Sequence, residues 1–269
     1  MAITEKVQLL GAGLYKDIPE ILTLKSLPTA SELDYVSSED FQQTMLTKIL
    51  PQAVEEKIDF RKLLDIDYSW ICRALRILNY GPYYTTNSIF CPKCGVVSGE
   101  YRVDLRSIEV KTLPEGFTND VVISKDEFID FDEDIHLHLL RVGEVLDIQN
   151  QKIARELKIK SNSTSEQNEE LLVICQMIHA IGQNKGLTSM EVYQTIQNKF
   201  SPADYKILKE VARELTDYGL RVGGNCTCPK CGSEEAGFFA LQDDKFFRPT
   251  LGDLREWKRS KNSKPTDDL

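Results

Sequence analysis

Two copies of one phrase stand far apart in this chain, and each ends in Cys-Pro-Lys-Cys-Gly. The first runs from Asp67-Tyr68 through an apolar-periodic stretch to Tyr80-Gly81 and then Cys91-Pro92-Lys93-Cys94-Gly95. The second runs from Asp204-Tyr205 to Tyr218-Gly219 and then Cys228-Pro229-Lys230-Cys231-Gly232. After each come a short gap, a glycine (Gly99, Gly237) and an aromatic-rich run with strand character. One Cys-x-x-Cys pair cannot close a structural zinc site, which takes four ligands, but the two together can. A fold in which Cys91, Cys94, Cys228 and Cys231 meet must bring together two segments more than a hundred residues apart, and this requirement constrains the architecture more than any other feature.

The local chemistry suits that role. A Cys-x-x-Cys turn must point both sulfurs inward. Proline sets φ after the first cysteine, and glycine tolerates the positive φ often needed after the second. Backbone N–H groups in such turns can donate to the sulfurs. Lys93 and Lys230 would offset part of the double negative charge of a Zn²⁺ bound by four thiolates. The competing reading, free surface pairs or two local disulfides, fits intracellular cysteines poorly. A thioredoxin-like role fits no better, because neither pair opens a helix in a βαβ setting. The chain has seven cysteines. Cys226 reads as a spare thiol beside the second pair, and Cys72 and Cys175 as core residues.

The 269 residues carry 41% apolar and 28% charged side chains, the balance of an ordinary soluble globular protein. A net charge of −9 argues against non-specific nucleic-acid binding, which needs basic surface to displace counterions. The cluster Lys258-Arg259-Ser260-Lys261 is followed by Asp267 and Asp268 and reads as a solvated tail. No secretory start and no run of apolar residues long enough to span a membrane is expected, so no membrane partner is implied.

The pattern predicts an α+β fold: helices and β-hairpins in two pseudo-repeated halves, joined by a zinc-ribbon-like site of four cysteines. The expected divisions are an N-terminal arm (1–19), a first helix, knuckle and strand half (20–115), a connecting segment (116–164), a second such half (165–250) and a C-terminal tail (251–269). Within them, Ile21 to Leu24 reads as β. A helix is expected from Ser37 or Ser38 to Ile49, ended by Pro51. A stronger helix follows Asp65 or Asp67, with Trp70, Ala74, Leu75, Ile77 and Leu78 on one face and Gly81 as its C-cap. Val121-Val122-Ile123 and the alternation Ile135, Leu137, Leu139 suggest a second β element. Helices are expected over 142–157, 166–182, 188–199 and 202–217, the last capped by Ser201 with Pro202 at its first position. A short helix is expected at 251–259, and disorder beyond it. The spacings of the two phrases agree closely: Tyr68 to Tyr80 is twelve positions and Tyr205 to Tyr218 thirteen.

Other candidates carry less. His136 and His138 would share one face of a strand, but no carboxylate or cysteine of matching geometry stands out beside them in the sequence. His179 reads as a packed residue of an apolar helix. Gly11-Ala12-Gly13 is an incomplete dinucleotide fingerprint with no βαβ unit after it. No catalytic constellation can be assembled, so no enzyme activity is expected. Phe246-Phe247-Arg248-Pro249 reads either as the end of a core strand or as a docking anchor.

Taken in order, several of these features resemble a known family. They are Leu27-Pro28, Leu75-Arg76-Ile77-Leu78-Asn79-Tyr80-Gly81, the first Cys-Pro-Lys-Cys-Gly, Tyr101-Arg102-Val103-Asp104-Leu105, the late second knuckle and Phe-Phe-Arg-Pro. The series is similar to the baseplate hub assembly proteins of T-even-type tailed bacteriophages and their relatives, over residues 20–110 and 200–250. The resemblance implies a structural or assembly role in the tail baseplate or its hub, exercised by protein–protein contact without turnover. The implied partners are other tail and hub proteins, with homo-oligomerisation left open. The implied setting is the host cytoplasm during assembly, or the baseplate of the virion. The competing expectation, a zinc-ribbon nucleic-acid-binding regulator, has the acidic charge and the lack of a basic stripe against it.

Overall fold

The computed structural model describes residues 3–28, 41–149, 165–221, 223–228, 230–239 and 249–262. It is an α+β fold of short helices and small antiparallel sheets. Strands β1 (Thr4–Gln8) and β2 (Ile21–Lys25) pair as a two-stranded sheet, with Val7 opposite Leu22. The N-terminal residues therefore form a strand and not a weakly structured arm, because Val7, Leu9 and Ile18 are all buried in a core that they help to close. A helical run follows, from α1 (Phe41–Thr44) through a π-helical stretch at Met45–Ile49 to α2 (Leu50–Ala53). Pro51 does not end this run. It stands directly after the π-helical stretch, where the Leu50 N–H reaches back five residues to the Met45 carbonyl. The expected caps Ser37 and Ser38 lie outside the described residues.

Helix α3 (Asp65–Tyr80) is the central element of the first core. Tyr68, Ile71, Cys72 and Leu75 are buried at helical spacing, and Gly81 ends the helix with φ 82°. A side chain at Gly81 would overlap the Trp257 indole as well as strain the backbone. Strands β3 (Tyr83–Cys91) and β4 (Gly95–Asp104) form a long hairpin, and β5 (Val110–Lys111) follows.

A second core is built by β6 (Val121–Ile123), β7 (Ile135–Leu137), α5 (Ser165–Met177), β8 (Ile178–Ile181), β9 (Asn184–Lys185), α6 (Ser189–Lys199) and α7 (Pro202–Thr216), whereas α4 (Val142–Gln149), which lies between β7 and α5 in the chain, sends Val142 and Leu146 into the first core. Strands β6 to β9 lie in sequence order in one sheet. Ile123, Ile135, Leu137, Val192, Leu208 and Leu215 fill its interior. Ser201 caps α7 as expected, its hydroxyl accepting from the Asp204 N–H. The helix expected over 166–182 stops at Met177, and the next four residues form β8, which pairs with β7 through Ile178, Ala180 and Ile181. His179 is therefore a strand residue and not one packed in a helix.

After α7 the chain crosses back. Strand β10 (Gly219–Leu220) pairs with β5, and β11 (Gly223–Cys226) and β12 (Ala236–Phe239) form a hairpin that joins the first half's sheet. The order in that sheet is β11-β12-β3-β4, all antiparallel. Helix α8 (Leu251–Asn262) then packs on β3, with the buried Asp253 carboxylate accepting from the Thr85 hydroxyl and the Thr250 N–H. Phe246, Phe247 and Arg248 lie outside the described residues, as do positions 263–269.

The aspartates of the two repeated phrases take the same local form. Asp67 and Asp204 stand in the first turns of α3 and α7, and neither is exposed to solvent. Each carboxylate accepts two successive backbone N–H groups from a distant loop: Leu10 and Gly11 for Asp67, Ile129 and Asp130 for Asp204. Gly11 is needed for that approach, since a Cβ there would lie 2.6 Å from Leu64 and 2.8 Å from the Asp67 carboxylate. Gly11→Ala is expected to lower stability by about 2 kcal/mol, seen as an earlier urea midpoint with an unchanged slope.

The surroundings set the two aspartates apart in pH response. Burial pushes Asp67 up, beyond what the Tyr15 hydroxyl and the two N–H groups bring back. At Asp204 burial also pushes up, but the Ile129 N–H, the Ser201 hydroxyl and the Asp130 N–H outweigh it and hold the group below the usual carboxylate range. The stability that Asp204 contributes is therefore present above its unfolded value of about 3.9 and is lost as pH falls through the lower folded value. Unfolding measured against pH is expected to show Asp204→Asn reducing the acid loss of stability below about pH 4, with little change in slope at neutral pH.

Candidate metal centre

The first knuckle is the turn of the β3–β4 hairpin itself, with Cys91 paired across the sheet to Gly95. The second lies in the longer loop between β11 and β12, where Cys226 faces Ala236. Because β12 pairs with β3, placing Gly237 opposite Phe90, both knuckles come to the same end of the four-stranded sheet. The second knuckle is closed locally. The Cys228 N–H donates to the Ser233 carbonyl at 2.7 Å, and the Gly232 N–H returns to the Cys228 carbonyl at 2.9 Å. Gly95 and Gly232 have φ of 88° and 70°, the conformation expected after the second cysteine of each pair.

All four expected ligands meet. The sulfurs of Cys91, Cys94, Cys228 and Cys231 lie within 4.8 Å of one another. Sγ of Cys91 is 3.6 Å from that of Cys231, and Sγ of Cys94 is 3.6 Å from that of Cys228, across separations of 140 and 134 positions. A tetrahedron of sulfurs about 2.3 Å from a central ion has edges of about 3.8 Å. The observed separations fit that figure, and they are far beyond the roughly 2.0 Å of a disulfide. The four residues thus have the number, donor type and spacing of a closed tetrahedral metal site.

Electrostatics point the same way. Burial pushes the Cys228 thiol up, but the N–H groups of Cys231 and Lys230 outweigh it and bring the group down to about 6. Cys94 moves oppositely, up to about 12, through burial and then hydrogen bonding with Cys228 and the other two cysteines. Four thiols this close cannot all ionise unaided, since each new thiolate meets the charge already present. A divalent cation removes that limit and gathers all four as thiolates.

The remaining cysteines fall where their sequence context puts them. Cys226 is buried in β11 and is not among the four clustered sulfurs. Cys72 and Cys175 are buried, and burial pushes each thiol up to about 12, so they are poor ligands and poor nucleophiles. Among the described residues one further group of potential ligands occurs, Asp120 with His136 and His179. The sequence alone offers His136 no carboxylate, because Asp120 is 16 positions away and the contact is set by strand pairing. No helix among the described residues is long and apolar enough to cross a membrane.

Two further side chains of α3 hold the chain around it. Asn79 accepts the Leu27 N–H at 2.8 Å and so ties the segment after β2 to the end of α3. Arg76 is fully buried and donates to the Gly81 and Tyr83 carbonyls at 2.8 and 2.9 Å. Compared with protein-family models, with curated proteins and with solved structures, the chain matches none.

Proposed function

We propose that this protein is a structural or assembly component of a phage tail baseplate or its hub, acting by docking and held in shape by one Zn²⁺ on Cys91, Cys94, Cys228 and Cys231. The observation that carries the structural part is the closure of the four-sulfur site between hairpins more than a hundred residues apart. Four thiolates fill a tetrahedral ion's coordination sphere and leave no position for a substrate, so the chemistry on offer is architecture. An all-sulfur tetrahedral set favours zinc or iron over harder cations. The clamp supports a docking role because it fixes the β11–β12 hairpin against the first half's sheet. The tail and hub setting rests on the sequence resemblance, and the net charge of −9 favours protein partners over nucleic acid.

Two measurements test this reading. Protein purified under reducing conditions is expected to retain one tightly held Zn²⁺ per chain, colourless and resistant to dialysis. Iron in its place, or no tightly held metal, overturns the zinc assignment. Affinity capture of the tagged chain from phage-infected cells is expected to recover tail and hub proteins in fixed ratio. Recovery of salt-sensitive nucleic acid without tail proteins overturns the docking role in favour of the nucleic-acid reading.

A further inference from the structure

We propose that Asp120, His136 and His179 form a second, solvent-facing site for a divalent transition-metal ion, independent of the four cysteines. The three histidines of the chain, His136, His138 and His179, converge on the sheet of β6 to β9. The ring of His179 lies 5.8 Å from that of His136 and 5.5 Å from that of His138.

Strand geometry brings them together. Ile135 and Leu137 point into the second core, so the alternation of β7 turns His136 and His138 to its other face. Asp120 immediately precedes β6, the neighbour of β7 on one side. On the other side β8 carries a register shift: His136 pairs with Ala180, but Leu137 pairs with Ile178. His179 is the extra residue of that bulge. A bulge redirects the side chain it carries, and here the redirected residue is a histidine whose Nε2 reaches Asp120.

One oxygen of Asp120 lies at the spacing of ligands sharing an edge from a nitrogen of each imidazole, and the ligand atoms all lie within 4.8 Å of one another. Oδ1 of Asp120 is 2.9 Å from Nδ1 of His136 and 3.1 Å from Nε2 of His179. Ions with bonds of about 2.1 Å to nitrogen and oxygen place neighbouring ligands about 3.0 Å apart in an octahedron and about 3.4 Å in a tetrahedron. Two imidazoles and one carboxylate suit zinc, nickel, cobalt, copper or ferrous iron, and leave coordination positions for water or a further ligand. The site is open to solvent, with side-chain exposures of 52% for Asp120, 23% for His136 and 38% for His179. His138 is outside the set: its Nε2 is engaged by Glu144 at 3.1 Å.

The test uses the full chain with zinc already on its cysteines, titrated with Co²⁺ under reducing conditions. Bound cobalt is measured by equilibrium dialysis, by its visible spectrum and by the imidazole ¹⁵N resonances. A second equivalent is expected, without sulfur-to-cobalt charge-transfer absorption and with perturbation of the His136 and His179 rings. His136→Ala and His179→Ala are expected to abolish it, and Asp120→Asn to weaken it by more than about tenfold. His138→Ala is expected to retain it. Asp120→Asn alters only an exposed side chain, so it keeps the test valid if a histidine variant folds poorly. Absence of the second equivalent in the wild-type chain, or its survival in Asp120→Asn and both histidine variants, overturns the site.

Discussion

Cys94→Ser and Cys231→Ser are each expected to lose the metal proposed on the four cysteines and to unfold the four-stranded sheet, with effects that match although the residues lie in opposite halves. The β12–β3 junction is short, joining Gly237 to Phe90 and Phe238 to Ile89. Binding free energies of structural zinc sites run to about 10–16 kcal/mol, comparable with the roughly 5–15 kcal/mol net stability of a whole domain. Loss of one thiolate is therefore expected to release the second hairpin from the first half. Metal content after gel filtration and thermal unfolding with and without chelator measure both consequences. Cys226→Ser is the control, expected to keep its metal and to melt within a few degrees of the parent. If Cys226→Ser loses metal while Cys228→Ser keeps it, the ligand set is wrong. A Cys94→Ser or Cys231→Ser variant that loses metal yet melts like the parent would show that the ion does not hold the sheet together.

The centre was legible because its chemistry is local. Cys-Pro-x-Cys-Gly needs only its own turn to point two sulfurs one way, and counting ligands then requires the two turns to meet. The helix from Asp65 to Tyr80 was legible for a similar reason, since its buried residues recur at 3.6 positions and its glycine stop lies in sequence beside it. What escaped depended on partners distant in sequence. Leu171 to Ile181 is apolar except for Gln176 and His179, with no breaker at Met177, and periodicity alone cannot divide it into helix and strand. Pairing with β7 makes that division, and it also makes a ligand candidate of His179, 59 positions from Asp120. Residues 4–8 were missed because only Val7 of that strand is buried, so no alternation marks it. The matched roles of Asp67 and Asp204 were likewise invisible, because their partners are backbone N–H groups of loops far up the chain.

Arg76→Ala is expected to be the most damaging single change away from the cysteines. Arg76 is fully buried, in a helix whose other inward residues are mostly apolar, and it is there for two carbonyls. The chain leaves α3 at Gly81 and turns at once into β3, so the carbonyls of Gly81 and Tyr83 face the interior, and the guanidinium fork supplies both with donors. Its plane also lies over Tyr80, 5.3 Å from the ring centroid. Burial lowers the guanidinium to about 10, and the Asp253 charge on the C-terminal helix works against that fall. At neutral pH the group therefore stays charged, and it links the end of α3, the start of β3 and helix α8. Truncation to alanine takes the donors from one buried and one part-buried carbonyl, opens a cavity, and leaves Asp253 with Arg102, at 3.8 Å, as its neighbouring cation, for a loss of about 4 kcal/mol. Arg76→Lys keeps the charge but cannot serve two carbonyls with one fixed fork, and is expected to lose about 2 kcal/mol. Urea unfolding of both variants with the metal centre intact measures these losses. Because β3 carries Cys91 at its far end, Arg76→Ala is also expected to release metal faster to a chelator. A variant that unfolds with parental midpoint and holds its metal as long would mean that water or a shifted backbone satisfies those carbonyls and that the fork is dispensable.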